Sequence, residues 1–298
     1  MSLQAKIIGL KLEAALAVKH ANGWQRLIDL YGEDKATAFY THLGLNHLET
    51  KSYEWEGLKL SREPRQSELI AIKGVHQAQE SNKERLTTLL LKLRSTMIAD
   101  ALAQLSDLNP ADYHTLTVSI PATERNKVKE ALLDVFNEGR SLVRRELIRG
   151  KADNSEDESN DFDELDVLSD VTAARIANDT QARIIGAASR LTVLNVTGNA
   201  LTASVRSEIN SGSTAYIDRA ATGLTNRTLN LGRSEEAAER SDEWDKVEYS
   251  AILDTNVCGP CSSVDGETAT DEDDLQPAPN PECEGLDNCR CFWIYVTV

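Results

Sequence analysis

The run Leu86-Thr-Thr-Leu-Leu-Leu-Lys-Leu-Arg-Ser-Thr-Met-Ile-Ala-Asp-Ala-Leu-Ala-Gln-Leu-Ser-Asp-Leu-Asn109-Pro110 decides the fold class. Leu86, Leu90, Leu93, Met97, Ala101, Leu105 and Leu108 recur at steps of three and four, which stacks them on one face of an α-helix. Leu69, Ile72 and Val75 continue that face upstream. The spacing therefore predicts one long helix from Gln66, with Ser81-Asn82 as a point where it can break. Asn109-Pro110 stops it, because proline lacks an N–H and pushes its predecessor out of helical geometry.

Downstream, Leu116, Val118 and Ile120 alternate, and His114–Ile120 reads as a lone strand or extended connection. Pro121 opens a second helix carrying Val128, Leu132, Val135 or Phe136, Leu142 and Leu147, with Gly150 at its end. Helical spacing resumes at Val171, Ala174, Ala177, Ile184, Ala188 and Leu191, and again after Gly198 with Leu201, Val205 and Ile209. Another helix is expected from Thr214 toward Ala238, loosened at Gly223 and Gly232. Upstream, the first 60 residues read as short helices over Ile7–His20, Trp24–Tyr31 and Glu33–Leu43, separated by glycines. The class is mainly α: helical hairpins or a bundle, followed by a small C-terminal β-hairpin cysteine module of zinc-knuckle type. The expected partition is a helical region over 1–150, an acidic linker or loop over 151–170, and a helical region over 171–298 that ends in the cysteine knuckle at about 245–298.

Composition bounds the rest. The 298 residues suffice for one large or two ordinary domains. No apolar run approaches the roughly 20 residues of a membrane span, and the start of the chain has no secretory h-region. The expectation is a soluble protein made in the cytoplasm. Residues 1–150 carry a net charge of +2 and residues 151–298 one of −18, within a total of −16. A field of that sign repels phosphates, so strong contact with duplex DNA is not expected. The small basic cluster Arg140, Arg144, Arg145 and Arg149 reads as a solvated helix face. Residues 153–170 hold nine acidic residues and no basic one. Asp157, Asp161 and Asp163 have calcium-ligand spacing, but the glycine and glutamate an EF-hand requires are out of frame, which leaves a solvated linker.

All five cysteines, Cys258, Cys261, Cys283, Cys289 and Cys291, lie in the last 41 residues, whereas all five histidines lie in the first 114. A local metal site there must be all-thiolate. Cys258-Gly-Pro-Cys261 is also the tetrapeptide of thioredoxin-like oxidoreductases. That chemistry needs a helix start and a βαβ unit, while Ser262–Thr268 reads as a turn and only 37 residues follow Cys261. Zinc fits better: two residues between thiols let Cys258 and Cys261 grip one ion, and the second pair comes from Cys283, Cys289 and Cys291. In an extended strand Cys289 and Cys291 face one side, which makes Cys283 the spare; Cys283 with Cys289 is the other choice. Disulfides and inert thiols are the alternatives to Zn2+. No phosphate loop, nucleophile elbow or His-Glu-x-x-His helix appears, and no enzymatic activity is expected.

The run Tyr249-Ser-Ala-Ile-Leu-Asp254-Thr-Asn-Val-Cys258-Gly-Pro-Cys261-Ser-Ser-Val-Asp265-Gly266, closed by Asn288-Cys289-Arg290-Cys291, resembles the C-terminal module of the phage Mu F-like minor head proteins. The helix residues Asn226–Arg233 resemble the segment that precedes that module. The family ends in His-Pro-Asn-Cys-Arg-Cys. Here the histidine is missing, Cys283 lies upstream of its place, and Glu284–Asp287 are extra. If the family histidine is a ligand, the resemblance makes Cys283 its substitute. The specific likeness covers about residues 226–298. It implies a structural virion protein at the portal vertex of a tailed-phage head, assembled in the host cytoplasm and assisting head assembly, DNA packaging or ejection. Its implied partners are the portal protein and the major capsid or scaffolding protein. The competing reading is a small zinc- or disulfide-stabilised module of a redox or toxin-type protein.

Overall fold

A computed structural model describes residues 53–147, 163–212, 214–253 and 257–297. The described residues fall into two compact units: one comprises those up to Ile72 together with those from Asp242 onward, the other those within Lys73–Ser241. The three helices expected before Gly44 and the core of the acidic segment lie outside the described residues.

The helical unit contains most of α1 (Glu68–Asp107), then α2 (Ala122–Leu147), α3 (Asp163–Val193), α4 (Gly198–Ser211) and α5 (Ala215–Glu239). Helix α1 is unbroken at Ser81-Asn82, because Asn82 turns its amide to the Ala78 carbonyl (2.9 Å) and to Glu138 (2.6 Å). Asn109, extended at ψ 154°, ends α1, and a 3-10 turn over Pro110–Thr115 follows. The alternating residues after it make no ladder. They form the extended connection, with Leu116 buried and Val118 packed against a core of Ile98, Leu102, Leu105, Ile184, Val205 and Ile209. Asp163, Glu164 and Asp166 stand in the first turn of α3, where carboxylates favour the positive end of the helix dipole. The end of the acidic run is thus helical rather than linker.

Helices α2 and α5 meet backbone to backbone. A Cβ on Gly232 would lie 2.0 Å from the Phe136 carbonyl oxygen, and one on Gly139 2.3 Å from that of Leu229. Only glycine permits this approach, so Gly232 seats α5 rather than loosening it, and α5 runs through Gly223 as well. Beside the seam, Arg233 forms two parallel bonds to Glu146 (2.7 and 2.8 Å), both side chains buried. Arg140, Arg144 and Arg240 all converge on Glu236. The arginines expected on a solvated face are corrected by this: Arg140 is 4% exposed and ion-paired to Glu236 and Glu239, Arg144 is half-buried on Glu236, Arg145 is exposed, and Arg149 lies outside the described residues.

The other unit opens with a hairpin, β1 (Tyr53–Trp55) and β2 (Leu58–Leu60), where sequence spacing suggested only helix. Glu56 and Gly57 both take positive φ (47° and 83°), the two-residue turn whose twist matches paired strands. Its C-terminal part is a three-stranded antiparallel sheet in the order β4 (Thr268–Ala269), β3 (Lys246–Ser250), β5 (Phe292–Val296), with Tyr249 opposite Trp293 and Val247 opposite both Tyr295 and Ala269. Trp244 packs on Tyr295 with ring centroids 5.5 Å apart, and the Trp293 indole donates to the Gln276 carbonyl (3.2 Å), so both tryptophans serve local packing.

Candidate metal centre

Strand β3 delivers the chain to a short helix, α6 (Gly259–Val264), that Cys258 caps in extended geometry. Pro260 suits the first turn because its missing N–H would be unpaired there anyway. The segment expected to be a turn is therefore helical through Val264, which places Cys258 and Cys261 one turn apart. Gly266 then reverses the chain at φ +94°, and its N–H donates to the Tyr249 carbonyl (2.9 Å). The second thiol group comes from a loop organised by Asn280. Its carbonyl accepts from the Cys283 N–H (3.1 Å) and its side-chain oxygen from Glu282 (2.8 Å) and Gln276 (3.2 Å). A 3-10 turn over Leu286–Asn288 carries the chain to Cys289.

This path brings all five cysteines together, each buried and none in a disulfide. Cys258 Sγ lies 3.6 Å from Cys283 Sγ, and Cys261 Sγ 3.9 Å from Cys289 Sγ. Those separations exceed the covalent bond of about 2.0 Å and match the edge of about 3.8 Å in a tetrahedron with Zn–S of about 2.3 Å. The sulfurs form two triads, Cys258/Cys261/Cys283 and Cys261/Cys289/Cys291, in each of which all ligand atoms lie within 4.8 Å of one another. The donor set is soft sulfur alone, which suits zinc and excludes hard cations such as Ca2+ and Mg2+. Cys289 and Cys291, expected within the closing strand, both precede β5, and their sulfurs lie within 4.8 Å of each other.

Electrostatics within the cluster are uneven. Hydrogen bonds from the Cys261 and Cys291 thiols, joined by backbone N–H groups, hold Cys289 well below the ordinary thiol value. The same bond to Cys289 pushes Cys261 up. Burial pushes Cys283 up to about 12. Burial likewise raises the Tyr249 phenol, which faces Cys291 from β3.

The same unit holds an ionic knot that no sequence motif announces. Arg62 forks onto Glu68 (2.6 and 2.7 Å) and onto Asp265 (2.7 and 2.8 Å). Arg65 bonds Glu68 (2.8 Å), Asp265 (3.1 Å) and Glu248 (2.5 Å). Glu68, fully buried, also accepts from the Ser250 hydroxyl (2.6 Å) and from the Arg65 backbone N–H (2.6 Å). Asp265 accepts from the Ala251 N–H (3.0 Å). The Asp-Gly turn after the Cys-x-x-Cys pair is thus an anchor, its aspartate fixed by arginines about 200 residues earlier. Glu68, three residues after Arg65 and at the head of an apolar run, was the one legible clue.

Compared with family models, with curated proteins and with solved structures, the chain matches none. Among the described residues, no helix is long and apolar enough to cross a membrane.

Proposed function

We propose that the C-terminal module is a structural zinc centre held by four of its five thiolates, and that the chain acts as a non-catalytic assembly protein. The observation that carries this is the convergence of five buried sulfurs, with Cys258 and Cys283 separated by 3.6 Å and Cys261 and Cys289 by 3.9 Å. Three short strands bury little apolar area, and a bound ion supplies folding energy of its own. A closed, water-excluding thiolate set has no open position for substrate. The surrounding sheet is antiparallel, which lacks the βαβ frame of disulfide oxidoreductases. Protein purified anaerobically should carry about one zinc per chain and take up Co2+ with the visible absorption of a tetrahedral thiolate site. Metal-free protein whose cysteines map as disulfides would overturn the zinc reading in favour of a cystine-stabilised module.

For the setting of this module we propose the portal vertex of a tailed-phage head, with the portal protein as partner and the capsid or scaffolding protein beside it. The resemblance supplies this reading. One structural observation favours it: Tyr249, the Cys-x-x-Cys pair, Asp265-Gly266 and Cys289-Arg290-Cys291, which carry the likeness, come together in one unit. Co-expression with the portal protein should give a complex that co-elutes on size exclusion. Folded, metal-loaded protein that elutes alone would sink the portal reading and leave the zinc module standing.

A further inference from the structure

A four-coordinate ion uses four of the five sulfurs, and the geometry distinguishes them. Cys261 belongs to both triads, so it lies within 4.8 Å of every other thiol in the cluster. Cys258 and Cys283 complete one triad with it, their sulfurs 3.6 Å apart across 25 residues of chain. Cys289 and Cys291 complete the other, with one residue between them in sequence, and each lies within 4.8 Å of Cys261 and of the other. An ion holding both would tie one short segment to itself and leave the Cys283 loop unstapled. An ion holding Cys258, Cys261 and Cys283 needs just one more sulfur, and two stand within reach of the shared Cys261.

We propose that the centre binds one ion through Cys258, Cys261, Cys283 and Cys289, with Cys291 as a reserve ligand that takes the place of Cys289 when that thiolate is lost. The inference rests on the zinc reading above. Cys289 holds the position at rest because its sulfur makes a tetrahedral edge of 3.9 Å with Cys261 and faces the Cys291 backbone N–H. The Gly285 N–H faces the Cys283 sulfur in the same way, two residues on in each case. The Cys291 side chain instead meets the Tyr249 hydroxyl, at the foot of a strand whose register sets Tyr249 opposite Trp293. The first triad and Cys289 thus close on the ion through the shared Cys261, and Cys291, buried and within 4.8 Å of both Cys261 and Cys289, takes the place of Cys289 when that ligand is lost. Ligand exchange at this centre then proceeds through association with Cys291, with no need for an open coordination site.

The test uses the full chain, Co2+ and Zn2+, and single cysteine-to-serine variants. Wild type is expected to bind one ion, and C289S to keep both the ion and a four-thiolate charge-transfer band. C291S is expected to match wild type within about tenfold, whereas C261S and the C289S/C291S pair lose about a hundredfold or more. Because variants can fail to fold, thiol mapping of the zinc-loaded wild type provides a second readout. A small electrophile should label Cys291 ahead of the other four. Loss of the four-thiolate band in C289S, or labelling of Cys283 or Cys289 first, overturns the assignment while leaving a zinc site in place. Wild-type protein that binds no ion overturns the zinc reading itself.

Discussion

Replacing Gly232 with alanine places one methyl group against the Phe136 backbone, 2.0 Å from the oxygen and 2.8 Å from the carbonyl carbon. Ordinary contact begins at 3.4 Å, so α2 and α5 must part by about 1.4 Å, the difference between the two oxygen distances. The obstacle is backbone in a facing helix, which cannot rotate away. Forcing such a separation costs about 1–3 kcal/mol in lost packing. The buried Arg233–Glu146 pair adjoins the seam, and stretching its 2.7 and 2.8 Å bonds weakens two desolvated charges at once. Severing such a pair outright costs roughly 3–5 kcal/mol. Partial weakening adds about half of that to the packing loss, while alanine returns about 1 kcal/mol of helix propensity. The net expectation is a loss of about 3 kcal/mol, or a fall of about 1–2 M in the urea midpoint at a typical m-value. Gly186, inside α3, is the internal control, since a Cβ there meets only the tip of the Arg190 side chain at 3.4 Å. Gly186→Ala should stabilise the helical unit by about 0.5–1 kcal/mol. Both variants are to be followed by helical circular dichroism in urea. A Gly232→Ala protein as stable as wild type would refute the backbone seam, and equal losses in both would refute the distinction drawn between them.

The double change of Cys258 and Cys261 to serine should lower the melting temperature of the cysteine module and expose residues beyond 240 to protease, as should chelation of the ion; unchanged melting and digestion would count against a structural metal. Arg62→Ala should cost about 3 kcal/mol, because it strips the fully buried Glu68 and the partly buried Asp265 of one of the two arginines they share, and guanidine denaturation of the purified chain measures it. Burial alone raises the carboxyls of Glu68 and Asp265, yet it is outweighed by the combined lowering from Arg62, the Ser250 hydroxyl and the Arg65 N–H on Glu68, and from Arg62, the Ala251 N–H and the Arg65 charge on Asp265, which holds both below the ordinary range. Their contribution is therefore complete above the unfolded value of about 4 and disappears as pH falls through the depressed folded values. Acid unfolding should begin below about pH 4 in wild type and at higher pH in Arg62→Ala; coincident acid transitions would show that the knot does not set acid stability.

The helices were legible because each buries a face at regular spacing: Leu86 to Leu105 along α1, Val128 to Leu147 along α2, Leu201 to Ile209 along α4. Where local pattern and tertiary partner disagreed, the partner decided. Asn82 resembles a breaker until Glu138 satisfies its amide, and Gly232 resembles a weak point until Phe136 of another helix is set against it. Arg140 and Arg144 read as a charged surface because their acids lie more than 90 residues away in the chain. The hairpin at Tyr53–Leu60 was missed for a different reason. Its two strands have three residues each, too short for an alternation to register beside helical neighbours. The cysteine centre was the easiest part of the site to read, because soft ligands clustered in sequence carry their chemistry with them. The ionic knot was not, since Arg62 and Asp265 become partners only across 203 residues.

That distance sets an order of events during synthesis. The hairpin and Arg62 leave the ribosome while Asp265 and every cysteine are still unmade, and at about 5–20 residues per second the wait is roughly 10–40 s. Throughout it Arg62, Arg65 and Glu68 lack Asp265 and Glu248, while the intervening segment, Lys73–Ser241, whose described residues form a compact unit, is already made. The unit that holds the cysteines closes last, around a segment made long before it. On the zinc reading proposed above, ion capture and the joining of the two distant stretches of chain then become a single late step.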